Sequence, residues 1–169
     1  MPTGPAARVT DSVSPPHLPP VLGPGPGSPD VLIGFMPAWR GVPGAAGAAL
    51  QSAKKASDAA IKSAEVASAA AQGTPGAPAA KAAEEATKAA AAAAMGSAIS
   101  AAAAASGADK HVCSTPLPIP PHGPGVVIDG SATVMINGAP ACRMGDTVLE
   151  AVGPPNKIMM GCTTVIIGG

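Results

Sequence analysis

Gly130-Ser131-Ala132-Thr133-Val134-Met135-Ile136-Asn137-Gly138-Ala139-Pro140-Ala141-Cys142-Arg143-Met144-Gly145-Asp146 decides the fold, because the chain repeats its outline. One further copy runs Gly27-Ser28-Pro29-Asp30-Val31-Leu32-Ile33-Gly34 into Met36-Pro37-Ala38-Trp39-Arg40. Another is split. It opens as Gly161-Cys162-Thr163-Thr164-Val165-Ile166-Ile167-Gly168-Gly169, and its other half, Gly4-Pro5-Ala6-Ala7-Arg8-Val9-Thr10-Asp11, lies at the opposite end of the chain. The β-branched runs at 31–33, 133–136 and 164–167 read as strands. Asn137-Gly138 is a tight-hairpin signal, matched in position by Gly34 and Gly168. Hairpins this short bury no face alone, but three of them about an axis share a narrow core and leave no free sheet edge. The sequence therefore predicts a mainly β, pseudo-threefold structure of short hairpins, closed by pairing of the N- and C-terminal segments.

Composition sets the limits of that core. Among 169 residues there are 21 Gly and 21 Pro, and the only aromatics are Phe35 and Trp39. Much of the 47% hydrophobic content is alanine, which buries little area, and a thin core calls for a staple: disulfide, metal or partner. Formal net charge is zero, and no basic stripe with interleaved aromatics suggests nucleic acid. No charged segment followed by an apolar one opens the chain, so no signal peptide is expected. Three cysteines without a sign of an oxidising compartment favour metal or free thiols over a disulfide framework.

Between the repeats, 44–108 is almost entirely Ala with Ser, Lys, Glu and Gly, a helix-forming insert that divides the chain into a discontinuous β part (1–43 and 109–169) and an inserted segment. Two helices are expected, over about 45–72 and 77–105, broken by Gly73-Thr74-Pro75-Gly76 and forming an antiparallel hairpin. Asp58 to Lys62 and Glu84 to Lys88 stand at the favourable i,i+4 spacing. The uncharged run at 90–105 falls short of a membrane span in length and in Leu, Ile, Val and Phe, so a soluble hairpin is the preferred reading.

The repeated tetrapeptides, Pro5-Ala6-Ala7-Arg8, Pro37-Ala38-Trp39-Arg40 and Pro140-Ala141-Cys142-Arg143, each tied to a strand and a Gly turn, resemble the motif of the PAAR-repeat family. Trp39 and Cys142 depart from the motif, and in one copy Gly41-Val42 stands where Gly-Asp normally follows the Arg. The resemblance implies a small β cone that caps a trimeric β-helical spike, typically the valine–glycine-repeat (VgrG) spike of a type VI secretion system. It further implies a sharp tip that often holds zinc through three histidines and a cysteine. The chain would wait in the bacterial cytoplasm and then be injected into a target cell, meeting the target membrane only transiently.

All three histidines lie in the β part. His17 falls in the connection before one strand copy; His111, Cys113 and His122 fall in the connection before another, at the equivalent end under the threefold relation. Three imidazoles and a thiolate form a tetrahedral, borderline-soft set that suits a structural Zn²⁺. The remaining connection, 147–160, carries neither His nor Cys, so the fourth ligand stays open between Cys113 and, in reserve, Cys162. Cys162 opens a strand at the position of Ser28 and Ser131, which favours packing; Cys142 reads as a small buried hydrophobe. Arg8, Arg40 and Arg143, with Asp11 and Asp146, are equivalent by repeat. They are candidate contacts to the spike at the base; for the aspartates, a turn-stabilising role is the simpler reading. Phe35 and Trp39 are expected to pack the root of the insert.

No nucleophile–base arrangement or phosphate loop is identifiable, and Asp146 with Glu150 is not fixed as an acid–base pair. The leading function is therefore structural, a metal-stabilised spike tip that punctures membranes and carries effectors, rather than enzymatic. Two alternatives differ in class: an adaptor whose helical hairpin recruits an effector or chaperone, and a metal-dependent hydrolase, which needs an ion open to water.

Overall fold

The computed structural model describes residues 2–14, 20–113 and 122–168. His17 lies outside the described residues. At the centre of the β part is a closed cycle of backbone hydrogen bonds. Trp39 N–H donates to Ala7 C=O (2.9 Å), Ala7 N–H to Cys142 C=O (2.9 Å), and Cys142 N–H to Trp39 C=O (3.1 Å). These are the third residues of the three tetrapeptides. A second cycle follows two residues on in each copy: Val9 N–H to Pro37 C=O, Gly41 N–H to Pro140 C=O and Met144 N–H to Pro5 C=O, at 2.8–3.0 Å. Bridges Ala6–Arg143, Arg8–Ala38 and Arg40–Ala141 complete the same rotation. The pseudo-threefold relation is thus carried by the backbone, which satisfies its polar groups in a ring rather than in an open sheet.

On one side of the ring sit three hairpins. Strand β1 (Gly4–Ala6) pairs with β10 (Cys162–Ile167), β2 (Leu32–Ile33) with β3 (Met36–Pro37), and β6 (Met135–Ile136) with β7 (Ala139–Pro140). The register is the same in all three: Pro5 opposite Ile166, Pro37 opposite Leu32, Pro140 opposite Met135. The split copy is therefore joined by pairing of the chain's two ends. Period-two alternation turns Ile33, Ile136 and Ile167 inward, where they form one apolar cluster with Ala6, Ala38, Ala141 and Cys162.

On the other side, the connections build a four-stranded antiparallel sheet. Its order is β4 (His111–Cys113), β5 (Gly123–Val127), β8 (Thr147–Glu150) and β9 (Asn156–Lys157). This sheet is not anticipated from the sequence, whose Pro- and Gly-rich connections lack a sustained alternating run. Its inner face joins Val127, Val148 and Ile158 to Ala7, Leu22, Trp39 and Cys142 in a second buried cluster.

The insert forms α1 (Gly44–Ala70) and α2 (Ala77–Ser106), close to the expected bounds. Gly107, at φ +68, ends α2 in the left-handed turn that glycine tolerates. Leu50, Met95, Ile99 and Ala103 pack on Val126, Ile128, Leu149, Ala151 and Val152. Gly47 permits the closest approach: a Cβ there would lie 2.5 Å from the Ile128 carbonyl oxygen. Beyond Lys54 the two helices zip to each other. Lys88 joins Glu84 (2.7 Å) on its own helix and Glu65 (2.9 Å) across the hairpin. Asp58 pairs backward with Lys54 rather than forward with Lys62, which meets Glu65 instead. At about 1.5 Å per residue, the stretch of α1 past Lys54 is roughly 24 Å long. By length and composition α2 could cross a membrane, but its charges lie in the distal part and its uncharged part lies against the sheet.

Candidate metal centre

The centre is built by strand register. In β4 the alternation of side chains places His111 and Cys113 on one face and Val112 on the other. Antiparallel pairing sets His111 opposite Gly125 and Cys113 opposite Gly123, and the next strand sets Gly125 opposite Glu150. One row across the sheet therefore reads His111, Gly125, Glu150. The glycine keeps the middle of the row clear, since a Cβ at 125 would sit 3.0 Å from Glu150 Cγ.

Above that space the ligand atoms of His111, Cys113 and Glu150 all lie within 4.8 Å of one another. His122, immediately before β5, closes the group: its Nδ1 is 2.7 Å from Glu150 Oε2 and 3.7 Å from Cys113 Sγ. Gly153, at φ +89, lies against this imidazole, where a Cβ would come within 3.2 Å of Nε2. Asn156 Nδ2 donates to Glu150 Oε2 at 3.3 Å, and His111 Nε2 stands 3.7 Å from Glu150 Oε1. All four side chains are buried.

Electrostatics fits a cation. Burial pushes the Glu150 carboxyl up to about 8, partly offset by the Cys113 hydrogen bond and the Lys54 charge. Burial, then the Lys54 charge, pushes His122 down, toward the neutral imidazole that binds metal. A divalent ion would reverse the penalty on the carboxylate. Imidazole, thiolate and carboxylate together form a donor set suited to Zn²⁺, so His111, Cys113, Glu150 and His122 are the groups that would hold it.

Of the sequence candidates, the structure brings His111, Cys113 and His122 together. It adds Glu150, which the sequence reading passes over, from the connection that has no His or Cys. The signal was positional: Glu150 follows Asp146 by four residues as Cys113 follows Asp109. Cys162 lies elsewhere, in the hairpin layer. Its sulfur is 3.2 Å from Thr164 Oγ1, and that hydrogen bond pulls the thiol below its usual range. It takes the place of Ser28 and Ser131, whose hydroxyls each accept a backbone N–H three residues on, at 3.0 Å. Cys142 is buried in the core, which pushes its thiol well up.

The repeat arginines and aspartates pair with one another within the chain. Arg8 pairs with Asp11 (2.9 Å) and Arg143 with Asp146 (3.1 Å); each aspartate also accepts the backbone N–H of its arginine. Arg40 lacks an aspartate three residues on, and Asp109 supplies it from the far side of the insert. Arg40 N–H donates to Asp109 Oδ2 (2.9 Å), the guanidinium pairs with Oδ1 (2.8 Å), and Asp109 N–H returns to Arg40 C=O (3.0 Å). The same three contacts exist in the other two copies. The helical hairpin is thus spliced into one Arg-x-x-Asp turn without breaking it. Arg40, Arg143, Asp11, Asp109 and Asp146 are buried, and Arg8 is 21% exposed. Trp39 also corrects an expectation: it fills the core beside Leu22 and Ile158, whereas Phe35 stands in solvent.

Residues 119–169 match the family model of the PAAR motif. No curated protein and no solved structure matches the chain. The matched segment spans the copy around Pro140-Ala141-Cys142-Arg143 and the C-terminal part of the split one, and the ring relates both to the copy around Pro37-Ala38-Trp39-Arg40. The PAAR motif over these residues relates the chain to the structural spike-tip proteins of type VI secretion.

Proposed function

We propose that this chain forms a conical cap on the end of a trimeric VgrG-type spike, with the three hairpins as its base and a zinc-bound apex. The observation that carries the reading is the backbone ring, whose threefold repeat suits a threefold partner. The base side supports it: the equivalent residues Leu32, Met135 and Ile166 are 61%, 51% and 61% exposed, an apolar triangle that a monomer gains nothing by displaying. At the apex, His111, Cys113, Glu150 and His122 bind the ion and tie β4, β5 and β8 together; zinc when bound supplies the cross-link that the thin core lacks. The burial of these groups argues against the hydrolase alternative, which needs water and substrate at the ion.

The test is co-purification with the trimeric spike of the same bacterium, with metal analysis of the complex. One chain per trimer and about one zinc per chain are expected; a chain that elutes apart from the trimer overturns the reading. A second role, carriage of effector or chaperone, is supported by the distal hairpin, which stands clear of the β part. Shortening both helices there should leave spike binding intact and abolish cargo association.

A further inference from the structure

The three base hairpins share a register but not a turn. The turn Asn137-Gly138 carries positive φ at both residues, +51 and +79, as a type I′ hairpin requires. Gly34-Phe35 adopts the same turn, at +55 and +67. Phe35 thus occupies the place of Gly138 in a backbone conformation that a residue with a Cβ rarely adopts. In the split copy, whose strands come from the two ends of the chain, Gly168-Gly169 stands at the corresponding place in the sequence.

An aromatic held in a strained conformation is normally repaid by burial. Phe35 is 95% exposed, the highest value among the exposed large hydrophobic side chains. It therefore contributes nothing to the free chain that glycine would not do better. It stands in the turn that closes the β2–β3 hairpin, three residues after Leu32, one corner of the apolar triangle of the base.

We propose that Phe35 is the anchor by which this cap is held on its spike: the ring enters an apolar depression on the end of the trimer, at one of three positions that the trimer's symmetry makes equal. This rests on the spike-capping reading above. Gly138 presents no ring, and the split copy has glycine at that place in the sequence, so the seating is fixed at one point and is degenerate among three orientations. Aromatic side chains that fill a pocket are among the usual hot spots of an interface. A strained, exposed aromatic fits that role because its cost is borne by the free chain and offset only in the complex.

The variants Phe35→Gly, Phe35→Ala and Phe35→Trp separate strain from recognition, with thermal melting of the free chain and titration calorimetry against the purified VgrG-type trimer of the same bacterium as readouts. Phe35→Gly is expected to melt a few degrees higher than wild type and to bind at least tenfold more weakly. Phe35→Ala should match its loss of binding without the gain in melting temperature, and Phe35→Trp should bind within a few-fold of wild type. If wild type binds the trimer but Phe35→Gly binds equally well, the anchor is overturned and the cap reading stands. A lower melting temperature for Phe35→Gly also overturns the anchor, because it would show the ring at work in the free chain. If wild type itself does not bind, the cap reading falls and takes the anchor with it.

Discussion

The hairpin layer and the candidate metal end are built from the same three repeats, yet one keeps the symmetry and the other gives it up. In the hairpin layer, equivalent places hold near-equivalent side chains: Ala6, Ala38 and Ala141 inside, with Ile33, Ile136 and Ile167 around them. At the metal end, the positions four residues after the repeat aspartates hold Cys113 and Glu150 in the two described copies, and the sheet draws its four strands from two connections. Backbone hydrogen bonds and small apolar residues tolerate threefold repetition, because every copy needs the same thing. A metal site does not, since four donors cannot be divided equally among three connections. Symmetry therefore persists up to the layer where side-chain chemistry begins.

The sharpest way to break the comparison is at the spliced turn. Arg40–Asp109 does for its copy what Arg8–Asp11 and Arg143–Asp146 do for theirs, but it also clamps both roots of the helical hairpin. Asp109→Ala leaves the Arg40 guanidinium, packed against Gly27 C=O and Asn137, without its carboxylate. A loss of about 3–5 kcal/mol is expected from removing one partner of a buried pair. Asp11→Ala should cost less, about 1–2 kcal/mol, because Arg8 keeps access to water. Urea unfolding of the two variants decides the matter. Equal losses would show that the clamp on the hairpin roots contributes nothing beyond the shared turn.

What could be read from sequence follows the same division. The ring was legible because Pro-Ala-x-Arg after a Gly-bounded strand recurs at fixed local spacing, and the helices because alanine content and the Gly73–Gly76 break are local as well. Asp109 was not, since 69 residues separate it from Arg40 and only the closed ring shows that they occupy one turn. Glu150 was missed for a related reason: its place beside His111 depends on two successive strand registers through Gly125, and none of those strands has a pattern longer than a few residues. The two aromatics were read alike because they are neighbours in sequence. The ring places Trp39 inward, whereas the turn register places Phe35 outward.

The candidate metal end should respond to pH in opposite directions with and without added zinc. In the folded, metal-free chain burial pushes the Glu150 carboxyl up to about 8, against about 4.3 for an unperturbed glutamate. Between those values the folded chain keeps a proton that the unfolded chain has released, so this group's contribution to stability falls as pH rises through the window. Metal-free protein is expected to lose on the order of 1–3 kcal/mol between about pH 5.5 and pH 8, and Glu150→Gln should flatten that slope. With zinc the trend reverses, because the ligands bind as deprotonated groups and affinity grows with pH. Unfolding curves at the two pH values, with and without zinc, check both signs. A metal-free slope unchanged in Glu150→Gln would remove this carboxyl from the centre's energetics.

The smallest expected effect is the one that best tests where the boundary between the two layers falls. Cys162 stands where the other copies have Ser28 and Ser131, and its sulfur sits under Gly34, where a Cβ would come within 3.2 Å. Cys162→Ser restores the repeat's own residue at that place. The hydroxyl can accept the Val165 N–H as Ser28 and Ser131 accept those of Val31 and Val134, so a change within about 0.5 kcal/mol is expected. Zinc content should not change, because the thiol belongs to the hairpin layer and not to the four groups at the other end. A fall in zinc content would move Cys162 from the symmetric layer into the metal centre, and with it the line at which the repeats stop being interchangeable.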